Sequence, residues 1–347
     1  MKKRILSLIL GAAMAMSLAA CGGTPAEGSS TDDNTTSAPK ADGQKYEITL
    51  SSHQATSSPH QWVIEQFKER VEAGTNGNVV VNLFPGGTLG NARDNLEGVQ
   101  MGSIQMCLAD TGATSNLCEN YNVLQLPFLF RDYDHLNKVL AGDIVKEKMD
   151  NVLVETRGIR PLGWYPDGLR DFLLKKPVHQ MSDFKGMKIR AMETDLVIDT
   201  INTLGAAATP IPWNEVYSSM QTNVVEGMEA APTSIYAMKF HEVADNLILS
   251  EHINLGVTLM INEQFFQSLP EEYQKVIQDS MAEIAAEQSA KTVEQMDKAV
   301  EDLAAAGVNV IEIDKSELVD AVQPLWEKYG AKIDGGQEVI DAIVAVQ

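Results

Sequence analysis

From residue 46 onward the chain alternates between two hydrophobic periods. Short apolar or alternating runs at 46–50, 79–84, 104–109, 187–191, 207–211, 224–228 and 246–249 predict strands. Between them, apolar residues spaced three and four apart over 60–73, 92–101, 195–204, 214–222 and 234–243 predict helices. Each strand–helix–strand step implies parallel strands joined by a helical crossover, and ligands of such sheets collect at the strand C-terminal ends. The pattern is therefore α/β. Residues 160–174 read as a strand crossing from a first domain into a second, and 255–262 as an apolar strand returning.

A long helix follows. Ser268-Leu269-Pro270-Glu271 reads as a capping-box start, and no helix breaker occurs before Gly307. At ~1.5 Å per residue such a helix runs about 50–55 Å, well beyond one small domain. Its apolar stripe also moves: Tyr273, Ile277, Met281 and Ile284 share one face, whereas Val293, Met296, Val300 and Leu303 share another, rotated by roughly 100–120°. One helix packed on two differently oriented bodies accounts for both facts. A strand at 308–313 and helices at 315–329 and 337–346 complete the chain and are expected to cover the second domain.

The first 45 residues have another character. Residues 1–20 combine a basic start, a short apolar stretch and small residues, the pattern of a cleaved signal peptide rather than a spanning helix. Cys21 directly follows Leu18-Ala19-Ala20 and resembles the lipidated cysteine of a bacterial lipobox, which implies a lipid anchor on the outer face of the cytoplasmic membrane. Residues 21–45 hold almost nothing that could build a core and read as a flexible spacer.

Length and charge narrow the function. The 347 residues suffice for two domains, with a formal charge of −21. Without Lys2, Lys3 and Arg4 there remain 24 basic against 48 acidic residues, a formal −24. That balance argues against nucleic acid and anionic lipid surfaces as partners, and leaves an anionic ligand to local, buried arginines. No cofactor or metal motif is complete: His241-Glu242 lacks the second histidine of a zinc-protease helix, the 85–90 turn lacks dinucleotide glycine spacing and a Walker lysine, and no G-x-S-x-G or C-x-x-C occurs. The expectation is a non-enzyme without cofactor or metal. Cys107 and Cys118 read equally as a pair or as two buried thiols.

The stretch 183–252 carries the most specific signal. Lys185-Gly186-Met187-Lys188-Ile189-Arg190, Leu204-Gly205-Ala206, Pro212-Trp213-Asn214-Glu215-Val216-Tyr217, Gln221 to Gly227 and Phe240-His241-Glu242-Val243 occur in order. Together with the Leu89-Gly90 turn and the run Leu126-Pro127-Phe128-Leu129-Phe130, they resemble the extracytoplasmic substrate-binding proteins of TRAP transporters, the DctP family, from about residue 46 to about 330. The resemblance implies a two-domain, periplasmic-binding-protein-like (Venus-flytrap) α/β fold with a long helix spanning both domains. It implies domain I at 46–167 plus 253–288 and domain II at 168–252 plus 289–347.

It also implies an extracytoplasmic receptor that binds a small organic acid and delivers it to the small and large membrane subunits of the transporter. A receptor presenting its ligand to a sensor kinase or chemoreceptor is the alternative. In the family, the arginine at the position of Arg190 clamps the ligand carboxylate, and Arg170 stands where a second ligand-side arginine often occurs. Without the resemblance, the bare sequence favours Arg190 as a surface arginine or a partner of Glu193 or Asp195, and Arg170 reads as a partner of Asp167 or Asp171. His53 and Asp110 end strands and are candidates for the ligand or for capping their own loops. Trp213 opens a helix beside the cleft and is a candidate pocket wall or core residue. One departure stands out: the residue after Glu229 is commonly Asn in the family but is Ala230 here, so a polar ligand contact is absent or supplied elsewhere. Sugar acids such as uronates come first as ligands, with dicarboxylates and other organic acids behind them.

Overall fold

The structure, a computed structural model, describes residues 44–347. The expected signal peptide, Cys21 and all but the end of the spacer lie outside the described residues.

The first part of the chain follows its hydrophobic pattern closely. Strand β1 (Tyr46–Ser51) leads to helix α1 (Pro59–Gly74), β2 (Val79–Phe84), α2 (Ala92–Met101), β3 (Met106–Asp110) and a short α3 (Thr111–Ser115). Both β2 and β3 pair with β1 in parallel, as the crossovers require. Local chemistry sets the ends of these elements. Pro59 occupies the first turn of α1, where a missing N–H costs nothing. Asn91 and Asp94 bond reciprocally to each other's backbone N–H at the start of α2, and Gly102 ends it at φ 76°. Helices α4 (Tyr133–Leu140), α5 (Asp143–Val145) and α6 (Asn151–Arg157) follow.

The expected crossing strand at 160–174 is two strands, β4 (Ile159–Pro161) and β5 (Tyr165–Leu174). Next come β6 (Lys188–Ala191), α7 (Asp195–Thr203), β7 (Ala207–Pro210), α8 (Val216–Gln221), β8 (Gly227–Ala230) and α9 (Pro232–Ala237). The strand expected at 224–228 is displaced to β8, because Asn223 takes φ 61° and Val224 lies exposed in the turn. The helix expected over 234–243 is cut at Lys239, whose φ of 58° ends α9 and sends Phe240 into the core under Trp213.

The strands expected at 246–249 and 255–262 are one, the 17-residue β9 (Asn246–Asn262), about 55 Å long at ~3.3 Å per residue. Polar residues 250–252 broke the pattern, yet the backbone continues. The β5 register slips there, from Arg170 opposite Ile253 to Phe172 opposite Ile248. Side chains replace the lost ladder bonds: Asp171 accepts the Glu251 N–H at 2.9 Å, and His252 stacks on Phe172 at 4.3 Å.

One ten-stranded sheet results, in the order β2-β1-β3-β9-β5-β8-β6-β7, with β4 and the late β10 (Asn309–Glu312) also on β9. Cores form on either side of the crossing. Ile48, Phe67, Val79 and Leu259 anchor one; Val216, Met228, Ile235 and Leu247 anchor the other. After the short α10 (Glu263–Ser268), the 35-residue α11 (Glu271–Ala305) places Ile277, Met281 and Ile284 in the first core and Leu303 in the second. Two expectations for this helix fail. No side chain caps its start, since Ser268 donates to the Phe265 carbonyl instead; and Val293 is 45% exposed. Met296 carries the contact midway, lying where a Cβ on Gly168 (φ 133°) would come within 2.5 Å of its sulfur.

Helices α12 (Ser316–Gly330) and α13 (Gly336–Ala345) close a third cluster in which Leu318, Val322 and Ile340 join Leu136, Phe172, Ile189 and Leu196. Cys107 and Cys118 are free, buried thiols.

Burial of Asp171 makes the crossing pH-sensitive. Desolvation pushes its pKa up to about 8, against the acceptor role toward Glu251 N–H. A group that holds its proton more tightly folded than unfolded stabilises fully below its usual 3.8, and that stability is lost as pH rises toward 8. Thermal unfolding should therefore show a Tm that falls between pH 4 and 8 more steeply in the wild type than in Asp171→Asn, which keeps an acceptor oxygen and cannot ionise.

Candidate functional site

A cavity of about 280 Å³ opens between the two halves of the sheet, at the ends of β1, β3 and β6 and beside the middle of β5. All five side chains singled out from the sequence for the cleft line it: His53, Asp110, Arg170, Arg190 and Trp213. The halves touch at its rim. Asn116 donates to the Glu193 carbonyl at 3.2 Å, and Ser57 donates to the Ala237 carbonyl at 2.9 Å. A Cβ on Gly112 would meet the methyl of Met192 at 2.4 Å, so the two halves approach closely here.

Arg190 leaves β6 almost fully buried. Its Nε donates to the Ile211 carbonyl at 2.9 Å, but Nη1 is buried with no hydrogen-bond partner among the described residues. The nearest carboxylate atom, Glu229 Oε1, lies 3.8 Å from Nη1, beyond hydrogen-bond length. Its guanidinium carbon sits 5.5 Å from the Trp213 ring centre. Burial pushes this arginine's pKa down to about 10, with Glu229 opposing and Arg170 reinforcing the fall. The group is a dehydrated cation with donor capacity to spare.

Arg170 is the contrasting case. Its Nε donates to Glu229 Oε2, one Nη donates to the Glu229 carbonyl at 2.8 Å, and the other lies 3.5 Å from Asp167. Burial works against its charge, yet Glu229 and Asp167 outweigh that and raise its pKa. The pairing with Asp167 weighed from the sequence thus exists, and Glu229 dominates it. Asp167 in turn accepts from His60 Nε2 at 3.0 Å, and His60 Nδ1 meets the Tyr165 hydroxyl at 2.9 Å. Desolvation opposes the Asp167 carboxylate, but His60 and Arg170 hold its pKa below the usual value.

Glu229, on β8, is fully buried. It touches Arg170 and lies 3.8 Å from Arg190 and 4.0 Å from His252. Burial keeps His252 neutral, its pKa lowered to about 4. Sequence reading used Glu229 only as a landmark. The available signal was a charged residue inside the apolar strand Gly227-Met228-Glu229-Ala230, where a carboxylate needs a buried cation. Asp167, His60 and Gln54 gave no such signal.

The remaining candidates divide. Asp110 lines the cavity and also caps α3, accepting from Ala113 N–H at 2.8 Å. Trp213 is wall and core together: its ring meets Phe240 edge-on at 5.1 Å, and its indole N–H is buried without a hydrogen-bond partner among the described residues. His53 is 8% exposed and neutral, its pKa lowered mainly by burial. Among the described residues no cluster of His, Cys, Asp or Glu could hold a metal ion.

Two α/β lobes joined by crossing strands, with a ligand-sized cavity of mixed apolar and charged lining between them, define a solute-binding protein of the periplasmic type. Residues 50–332 match the DctP family, described as bacterial extracellular solute-binding protein, family 7. The chain belongs to that family, the extracytoplasmic substrate-binding proteins of TRAP transporters. A solute-binding protein of Verminephrobacter eiseniae is 31% identical over 291 residues, 83% of this chain and 86% of that protein. A TRAP periplasmic solute-binding protein of Xanthobacter autotrophicus, solved with β-D-galacturonate, superposes with a TM-score of 0.83 at 28% identity, covering 86% of this chain and 100% of the other. Its counterpart from Pseudomonas putida, solved with D-glucuronate, gives 0.83 at 29% identity over 87% and 97%.

Glu229 is the counter-charge to two buried arginines, and removing it leaves Arg190 without a nearby carboxylate and Arg170 with Asp167 alone. Glu229→Ala should lower unfolding free energy by about 3–5 kcal/mol, the usual cost of leaving buried charge uncompensated. Glu229→Gln, which keeps an acceptor for Arg170, should cost less. Urea unfolding followed by circular dichroism measures both.

Proposed function

We propose that this chain is the solute receptor of a TRAP transporter and captures a sugar acid by its carboxylate, acting as a receptor rather than an enzyme. The observation that carries this reading is the unpartnered, buried Nη1 of Arg190 on the cavity wall. A carboxylate entering the cleft loses hydration, and a planar guanidinium with free donors offsets that loss through short, charge-assisted bonds. Arg170, saturated by Glu229 and Asp167, adds positive field and keeps the wall in place. Asp110, Asp167, Glu97 and Glu193 also line the cavity and disfavour a second ligand carboxylate. They supply acceptors for hydroxyl groups, which favours uronates, as in the galacturonate- and glucuronate-bound relatives, over dicarboxylates.

In this reading domain I comprises 46–167 plus 253–288 and domain II 168–252 plus 289–347, and the ligand stabilises their closed arrangement. The closed receptor delivers its cargo to the small and large membrane subunits. Cys21, lipidated, tethers it to the outer face of the cytoplasmic membrane through the spacer.

Calorimetry with D-galacturonate and D-glucuronate tests the clamp, with succinate as comparator. Arg190→Ala should weaken uronate binding by roughly 30-fold to several thousand-fold, corresponding to about 2–5 kcal/mol. Arg190→Lys should recover only a small part, because an ammonium is compact and strongly hydrated. Wild-type affinity in a folded Arg190→Lys protein would refute the clamp. For the anchor, Cys21→Ser should move the protein out of the membrane fraction with its circular-dichroism spectrum unchanged; continued membrane partition would refute lipidation.

A further inference from the structure

A second groove lies away from the cleft, and the two share no lining residue. It has a volume of about 530 Å³ and is lined by α11, the 137–154 segment of helices α4 to α6, and the link from β4 to β5. Apolar surface comes from Leu140, Val154, Leu162 and Trp164, and along α11 from Ala282 and Ala286, whose small side chains leave the space unfilled.

One carboxylate interrupts this lining. Helix α5 runs into α6 through a π turn over Lys146–Asp150, a feature that recurs at functional sites, and Asp150 ends it. The Tyr121 hydroxyl donates to Asp150 Oδ1 at 2.6 Å, and the Trp164 indole N–H donates to the same atom at 3.0 Å. Asp150 Oδ2 makes no hydrogen bond among the described residues and is not sealed from solvent. Burial raises the Asp150 pKa to about 6, against the lowering effect of the two bonds to Oδ1. The two cations lining the groove are placed otherwise: Arg160 forks onto Glu263 at 2.6 and 2.7 Å, and Lys146 is exposed. At neutral pH the groove therefore presents an ionised, poorly hydrated carboxylate with one oxygen open to a donor.

The chemistry of that oxygen narrows the occupant. An anion meets a like charge at Asp150. A purely apolar molecule strips water from Oδ2 and supplies no donor in its place. A divalent metal ion needs several oxygen ligands, and among the described residues no cluster of three His, Cys, Asp or Glu could hold one. An ammonium group brings N–H donors and the opposite charge together. The formal charge of −21 also favours the approach of a cation at long range.

We propose that this groove is a second binding site, for a small molecule that brings a primary ammonium to Asp150 Oδ2 and lays an aliphatic stem along Trp164 and the alanine face of α11. The site is independent of the sugar-acid reading, since the cleft shares none of its residues.

The test uses n-butylammonium chloride as probe, with no uronate present and ionic strength held constant with sodium chloride. Trp164 donates to Asp150, so its indole N–H resonance, assigned by its loss in Trp164→Phe, reports on the site by NMR. n-Butanol, which has the same stem without the charge, is the control. Wild type should show a saturable shift with butylammonium, at a Kd of about 1–10 mM, and bind butanol at least roughly 10-fold more weakly. Asp150→Asn keeps an acceptor for Tyr121 and Trp164 but loses the charge. Ala286→Phe fills the groove from an exposed position on α11 and leaves Asp150 untouched. Each, once its circular-dichroism spectrum is shown to be native, should weaken butylammonium binding by roughly 10- to 100-fold. No saturable shift in wild type, butanol binding as tightly as butylammonium, or undiminished binding in either folded variant would overturn the site.

Discussion

Glu229 sits where no water reaches it, between two arginines that themselves have almost no exposure. A carboxylate in that position is tolerable only because Arg170 bonds it directly and Arg190 lies within a few ångströms. The division of labour between the arginines follows from this asymmetry. Arg170 spends its donors on Glu229 and Asp167, whereas Arg190 has one bond to a carbonyl and capacity left over. A symmetric arrangement, with both guanidiniums saturated, would be more comfortable for the empty protein and would give a ligand nothing to complete.

The architecture supports that cluster from several directions. Arg170 comes from β5, Glu229 from β8 and His252 from β9, three neighbouring strands of one sheet. Arg190 comes from β6, beyond β8, and His60 reaches in from α1 through Asp167. The strands that cross between the lobes thus carry the charge cluster, and slips in the β5–β9 ladder occur on both sides of Arg170. Along the outside, α11 ties the two cores with one unbroken helix, so the lobes stay joined at three elements while the cavity between them stays open to a ligand.

The cavity's inventory of unsatisfied atoms has a direction. Arg190 Nη1 and the Trp213 indole N–H are buried donors without a partner among the described residues on one lobe; His53 Nδ1 and Gln54 Oε1 are likewise unpartnered on the other. In the free protein these atoms are a standing cost, which a complementary ligand removes.

Periodicity alone determined the α/β class, the position of nearly every early element and the existence of one helix too long for a single core, because hydrophobic spacing reports which face of an element is buried. The ordered motifs around Arg190 identified the family and drew attention to the five side chains that line the cavity. Only the tertiary structure decided the rest. Polar residues 250–252 look like a break in sequence, yet β9 runs through them, since Asp171 and Phe172 on the neighbouring strand supply what the ladder loses. Val293 fits a helical stripe but faces outward, because Met296 against Gly168 already fills the crossing. The coupling of Glu229 to Arg170, 59 residues away, and of His60 to Asp167, 107 away, has no local signature. Charges pair by proximity in space, and that proximity exists only once the sheet has formed.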